Sequence, residues 1–363
     1  MKKFKLFGMM AVAAMAVSCS SDDVVQQVQE DNAIQFSSYL GNAASRGTVV
    51  STSTLKTGEN FGVFAYYIPS GGTVNYTNPD FMYNQKVEYD ATANVWKYSP
   101  IKYWPNNQGD KIAFVAYAPY DESKTMTDGL IDWTIDSDIK KQKDLVWNTA
   151  GAITTGKQAI NDSVRFVFGH ALSRVAFSVQ AAADQIAAGG TIEDKTTITL
   201  KSITIGNATK GFYTGGKLNL ADGTWSDQTG NQGFTLSAES ESNFITNSNI
   251  LNPGESTKQI LVGGDDEDDY LFVIPQNLAS FDVTVVYDVF TDANDNGAVD
   301  LNDSKITNTI TSTIAANALT LEQGKAYMIN LVLGMTEVKL SATISDWGEE
   351  IGSTVNVPIN TAN

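Results

Sequence analysis

From Ile34 onward the chain is a succession of short apolar stretches, rich in Val, Ile, Phe, Tyr and Thr, separated by clusters of Gly, Asn, Asp and Pro. Phe61 to Tyr66, Lys111 to Tyr117 and Ser173 to Val179 are near-continuous apolar runs of strand length. Thr197 to Ile205 interleaves apolar with polar residues. A half-buried strand requires that pattern, because successive side chains point to opposite faces. Helical periodicity is nearly absent, and its best candidate, residues 181–188, would make one or two turns. Many short strands with turn residues between them predict an all-β protein built of antiparallel β-sandwiches. The segment Ala150 to Gly156 separates a strand ending near Trp147 from one starting at Val164. It suggests an N-terminal β-sandwich domain over residues 34–155 and a C-terminal one over 156–363.

The first 33 residues follow a different logic. Lys2, Lys3 and Lys5 precede an apolar run from Leu6 to Val17 that is too short to span a bilayer, which needs about 20 residues. Residues 1–18 therefore read as a secretory signal peptide. Ala16-Val17-Ser18-Cys19 resembles a bacterial lipobox, which would make Cys19 the lipidated first residue and residues 19–33 a polar tether. The alternative is an ordinary signal with an incidental cysteine.

Composition then narrows the chemistry. Among 363 residues there is one Cys and one His. That excludes an internal disulfide, Cys-rich metal sites and multi-His centres. Acidic residues outnumber basic ones, 41 to 24, for a net charge of −17, so nucleic acid is not an expected partner. His170 reads as a buried structural histidine without a partnered nucleophile. The tryptophans, Trp96, Trp104, Trp133 and Trp225 among them, read as core residues. No pair of carboxylates stands apart as a catalytic couple, and no enzyme is expected. The acidic run Gly263 to Asp269 reads as a solvated loop.

The sharpest local motif runs from Asp292 to Asp303. Asp292, Asn294, Asn296, Asp300 and Asp303 supply oxygens at positions 1, 3, 5, 9 and 12, with Gly297 at the turn and the Ala298 carbonyl available. This spacing resembles an EF-hand or dockerin-type calcium loop. No cofactor is required, and a structural Ca2+ here is the candidate ion. Two features depart from the pattern: position 12 is Asp rather than Glu, and strands rather than helices flank the loop. The alternative is a polar hairpin tip.

Several segments together resemble the fimbrillin family (Mfa-like, type V pilins) of Bacteroidetes: Gly58 to Tyr66, Lys102-Tyr103-Trp104-Pro105 followed by Ala113 to Pro119, Phe168 to Val175, and Ile344-Ser345-Asp346-Trp347 before an extended tail. Ser20-Ser21-Asp22-Asp23 looks like the export signal of that phylum's surface lipoproteins. The resemblance implies two tandem transthyretin-like antiparallel β-sandwich domains and a lipid-anchored precursor at the cell outer membrane. It further implies proteolysis between Arg46 and Gly47, which would release a strand over residues 34–46, with Ile34, Phe36 and Ser38 on one face. Polymerisation by donor-strand exchange would follow. The donor would be the tail over residues 349–363, where Val355, Val357 and Ile359 share a face; the alternative is an intramolecular edge strand. The implied function is a structural subunit or adhesin of cell-surface fimbriae. Its partners would be other fimbrial subunits, the membrane through the anchor, and a host or bacterial surface receptor. The rival is a monomeric surface lipoprotein that binds glycans.

Overall fold

A computed structural model describes residues 32–40, 50–159, 162–181, 196–237, 250–251, 258–260, 271–278, 280–292, 300–315, 319–333, 338–347 and 356–358. Regular structure there is almost entirely strand, as the apolar patterning predicts. Helix is confined to a turn over Thr52–Thr54 that runs on through Leu55–Glu59, and to a short turn at Ile139–Lys141. Ser51 caps the first: its hydroxyl accepts the Thr54 N–H, and the Thr54 hydroxyl accepts the Ser51 N–H. Ala181 ends a strand, and residues 182–188, the expected helical turns, lie outside the described residues.

The N-terminal half contributes β1 (Phe36–Leu40), β2 (Phe61–Ile68), β3 (Met82–Asp90), β4 (Val95–Lys97), β5 (Lys111–Ala118), β6 (Leu130–Thr134), β7 (Val146–Asn148), β8 (Ile153–Thr155) and β9 (Val164–His170). All but β6 form one eight-stranded sheet in the order β1-β9-β7-β5-β2-β3-β4, with β8 also against β5. The β1–β9 pair is parallel and the others are antiparallel. The expected boundary after residue 155 falls within this sheet, because β9 lies beyond it and pairs with β1 and β7. The segment 150–156 itself contains β8, which pairs with β5, so its turn residues mark a change of strand, which local sequence signals, rather than a change of sheet, which it does not.

The remainder supplies β10 (Ser173–Ala181), β11 (Thr196–Ile205), β12 (Gly215–Asn219), β13 (Trp225–Thr229), β14 (Phe234–Ser237), β15 (Ile250–Leu251), β16 (Lys258–Ile260), β17 (Leu271–Val273), β18 (Gln276–Asn277), β19 (Phe281–Thr291), β20 (Ser304–Ile314), β21 (Thr320–Leu321), β22 (Lys325–Leu333), β23 (Val338–Asp346) and β24 (Asn356–Pro358). One sheet runs β16-β10-β22-β23-β24, and another runs β14-β11-β19-β20. A three-stranded sheet, β13-β12-β6, ties the N-terminal β6 to the second half. In β11 the apolar alternation slips between Leu200 and Ile203. A bulge between Leu200 and Ser202 absorbs the slip, so Ile198, Leu200, Ile203 and Ile205 are all buried.

Two apolar clusters result. The N-terminal sheet curls until its end strands β1 and β4 approach each other. Phe61, Val63, Phe114 and Phe166 face the inside of that curl. Phe64, Tyr66, Val115 and Tyr117 face the other way and join a core that continues through Phe177, Ile203, Val285 and Leu331. Burial on both faces explains why β2 and β5 read as unbroken apolar runs.

Candidate functional site

The first described strand closes the curl. Among the described residues β1 has one strand neighbour, β9, in the register Phe36↔Val164 to Leu40↔Phe168. Its alternation puts Ile34, Phe36 and Leu40 into the core while Tyr39 is 43% exposed. Phe36 is surrounded by aromatic rings: Tyr98 at 5.1 Å between centroids, Phe166 at 5.7 Å, Phe114 at 5.8 Å and Phe61 at 6.5 Å. Burying three such side chains contributes roughly 1.5–3 kcal/mol each. Ser38, expected on the same face as Ile34 and Phe36, is half-buried there, and Leu40 continues that face by one more step.

Polar bonds hold the strand at both ends. Ile34 N–H donates to the Lys102 carbonyl at 2.9 Å, and the Tyr98 hydroxyl donates to the Ile34 carbonyl at 2.8 Å. Burial pushes the Tyr98 phenol up to about 12, so it remains a neutral donor. Asn32 and Trp104 exchange two bonds, and Val164 N–H donates to the Gln35 carbonyl. At the other end Leu40 N–H reaches the Thr52 hydroxyl at 3.3 Å. The arrangement is an edge strand whose alternate side chains, Phe36 and Leu40, are core and whose onward connection is residues 41–49. Arg46 and Gly47, the expected cleavage pair, lie in that connection and outside the described residues.

The tail is met at another edge. β24 pairs antiparallel with β23, with Val357 opposite Ala342, so three residues of the tail rest on their own chain. This is the intramolecular edge strand that stood as the alternative. Val355 and Ile359 lie outside the described residues, as does Cys19.

In the calcium-like loop, Asp292 follows β19 and Asp300 and Asp303 precede β20. Asp303 Oδ2 accepts the Asp300 N–H at 2.6 Å, and Asp300 Oδ1 accepts the Asn302 N–H at 2.7 Å. Both carboxylates thereby support the turn. Asn294, Asn296 and Ala298 lie outside the described residues, as does the acidic run at 263–269. Among the described residues no group of three or more acidic, His or Cys side chains gathers as a metal site.

His170 is buried, as its apolar neighbours predict. Its Nδ1 lies 2.8 Å from Asp144 Oδ2, and its ring stacks on Trp347 at 4.0 Å with 6° between planes. Phe272 also stacks parallel to that indole, at 5.7 Å between centroids, and the Arg174 guanidinium lies 5.2 Å from the Trp347 ring. The sequence motif around Trp347 thus becomes a contact between β9 and the end of β23. Asp144 could not be paired with His170 from sequence, since nothing local links residues 26 apart.

Residues 48–347 match the family described as fimbrillin-like. The chain belongs to that family. A curated relative, the fimbrium subunit Fim1C of Phocaeicola vulgatus, is 24% identical to this fimbrillin-like chain over 400 aligned positions, covering 96% of this chain and 98% of the relative. A crystal structure of a fimbrial protein from Bacteroides vulgatus has a TM-score of 0.65 and 22% identity, covering 87% of this chain and 99% of that one. The fimbrillin-like chain shares that protein's fold.

Proposed function

We propose that this chain is a structural subunit or adhesin of cell-surface fimbriae. It is exported as a precursor lipidated at Cys19, cut between Arg46 and Gly47, and joined to other subunits by donor-strand exchange. The observation that carries this reading is the seat of β1: an edge strand filling an aromatic box, tied onward by residues 41–49 alone. Once Arg46 is cut, β1 is held by non-covalent contacts only. Its departure opens an apolar groove beside β9 that requires another strand.

Val355, Val357 and Ile359 share the every-second-residue spacing of Ile34, Phe36, Ser38 and Leu40. An incoming strand gains main-chain hydrogen bonds along the edge, and its alternate side chains fill the vacated positions. Pro358, without an N–H, must turn away from the paired side. The short pairing of β24 with β23 has to be released first, at the cost of three residues of ladder. The work is mechanical rather than catalytic, and a name as a fimbrium subunit for the Phocaeicola relative supports it.

The test is the purified precursor treated with an arginine-specific protease. SDS-resistant ladders are expected from the parent and not from Arg46→Ala. A parent that is cut and stays monomeric ends the proposal, and retention in polysaccharide gels without a ladder favours the glycan-binding alternative.

The loop 292–303 is proposed to take a structural Ca2+ that stiffens the β19–β20 hairpin, on the strength of its ligand spacing. Calorimetric titration should show calcium heat that Asp292→Ala abolishes; a parent that gives none refutes it.

A further inference from the structure

A cleft of about 590 Å³ lies between the turn ending at Glu59 and the turn over Ile139–Lys141, with Val50, Glu59, Lys143 and Asp144 in its wall. Asp136 and the lysines Lys140, Lys141 and Lys143 also line it and are exposed, while two carboxylates, Glu59 and Asp144, sit deeper. Asp144 is 1% exposed, and its Oδ2 takes the Val50 N–H at 3.1 Å and His170 Nδ1 at 2.8 Å. Its Oδ1 is buried with no hydrogen-bond partner. Glu59 Oε2 accepts the Thr54 hydroxyl at 2.6 Å. Burial pushes the Glu59 carboxyl above its ordinary value; the Thr54 bond lowers it, and the charge of Asp144 raises it further. Among the described residues no Lys or Arg nitrogen stands within 4.0 Å of either carboxylate. A buried acceptor without a donor, beside a second acid, is an arrangement that one ammonium would relieve.

We propose that the ammonium created on Gly47 by cleavage enters this cleft and binds Asp144 and Glu59, fixing the start of the cut chain to the sheet. The inference rests on the processing between Arg46 and Gly47 proposed above. Chain continuity names the occupant. Val50 is already bound to Asp144, Gly47 is three residues before it, and three residues reach at most about 11 Å. Before cleavage that nitrogen is an uncharged amide with one donor. Afterwards it is a cation with three donors, charged at neutral pH because a free α-amino group titrates near 7.7–8.0. Loss of β1 would therefore be accompanied by a new anchor at the other side of the cut.

The experiment uses the full chain with residues 41–46 replaced by the recognition sequence of a protease that cuts before glycine. The nick at Gly47 then forms whether or not Arg46 is a natural site. An amine-reactive ester is added at pH 7, and mass spectrometry follows labelling of the Gly47 amine in the nicked chain, in its Glu59→Gln variant and in a free peptide beginning at Gly47. Labelling is expected to be at least about tenfold slower in the nicked parent than in the peptide, since one pKa unit of stabilisation of the ammonium is a factor of ten. Glu59→Gln, whose side-chain oxygen can still accept the Thr54 hydroxyl, should recover most of the peptide's rate. A parent that labels as fast as the peptide overturns the proposal, and so do equal slow rates in parent and variant. If the engineered nick is protected while the natural chain is never cut at Arg46, the processing reading fails and the lock stands as a property of the cleft.

Discussion

Phe36 meets four aromatic rings from four parts of the chain, so its side chain does more for the fold than its place near an end suggests. Phe36→Ala leaves a cavity that those rings, three held on strands and Tyr98 just past the end of β4, cannot close. Unfolding by urea should show a loss of about 3–5 kcal/mol, the range for truncating a buried aromatic residue. Tyr39, three residues on, is the comparison: it is exposed, with the Arg165 guanidinium 5.8 Å from its ring. Tyr39→Ala should shift stability by no more than about 0.5 kcal/mol. Equal effects would mean that β1 is not seated in the core. Both residues lie in one short strand, and parity of position alone separates them.

At the scale of the element, the β19–β20 hairpin shows how a strand pair manages a buried charge. Asp288 on β19 faces Thr307 on β20, whose hydroxyl donates at 2.6 Å. Lys305 lies at 2.9 Å and Lys201, from β11, at 3.8 Å. Burial by itself would raise this carboxyl, but Thr307, Lys305 and Lys201 together hold it below the ordinary value. A carboxyl lowered by folding adds stability that is complete above its unfolded value, about 3.9, and is lost as pH falls through the lower folded value. Asp288→Asn should cost about 1.5–3 kcal/mol at pH 7, the scale of hydrogen bonds to a charged group. Parent and variant stabilities, measured from pH 7 down to pH 2, should converge on acidification. Curves that stay parallel would show that the carboxylate charge is not what holds the pair. By comparison β1 carries no such charge network among the described residues: apolar packing, the parallel ladder with β9, a Ser163–Ser37 hydroxyl bond and a few end bonds attach it, which suits a strand that has to leave.

Across the whole molecule, the outer face of the curled sheet and the second half share one core, with β6 and β12 paired across the middle of the sequence. The inner cluster, bounded by β1, is separate from that core. Loss of β1 would therefore disturb one cluster and leave the other intact. A subunit of that design can stay folded while one groove waits for a neighbour's strand. The same partition explains the proposed role of the Glu59 and Asp144 cleft: it lies beside the inner cluster, next to Val50, where the cut chain would begin. A net charge of −17 opposes indiscriminate association, so joining depends on a specific strand fit rather than on stickiness.

Amino-acid order alone determined the all-β class and several strand positions, including Phe61 to Tyr66, Lys111 to Tyr117 and the start at Val164, because strand alternation and turn residues act within a few positions. It also placed Ile34 and Phe36 on one face and marked His170 as buried. Only the tertiary structure decided that β9 belongs with β1, that Tyr98 and Phe61 complete the box around Phe36, and that Asp144 meets both His170 and Val50. Those contacts join residues far apart in the chain. Their partners are chosen by how sheets curl and stack, and no local window of sequence carries that choice.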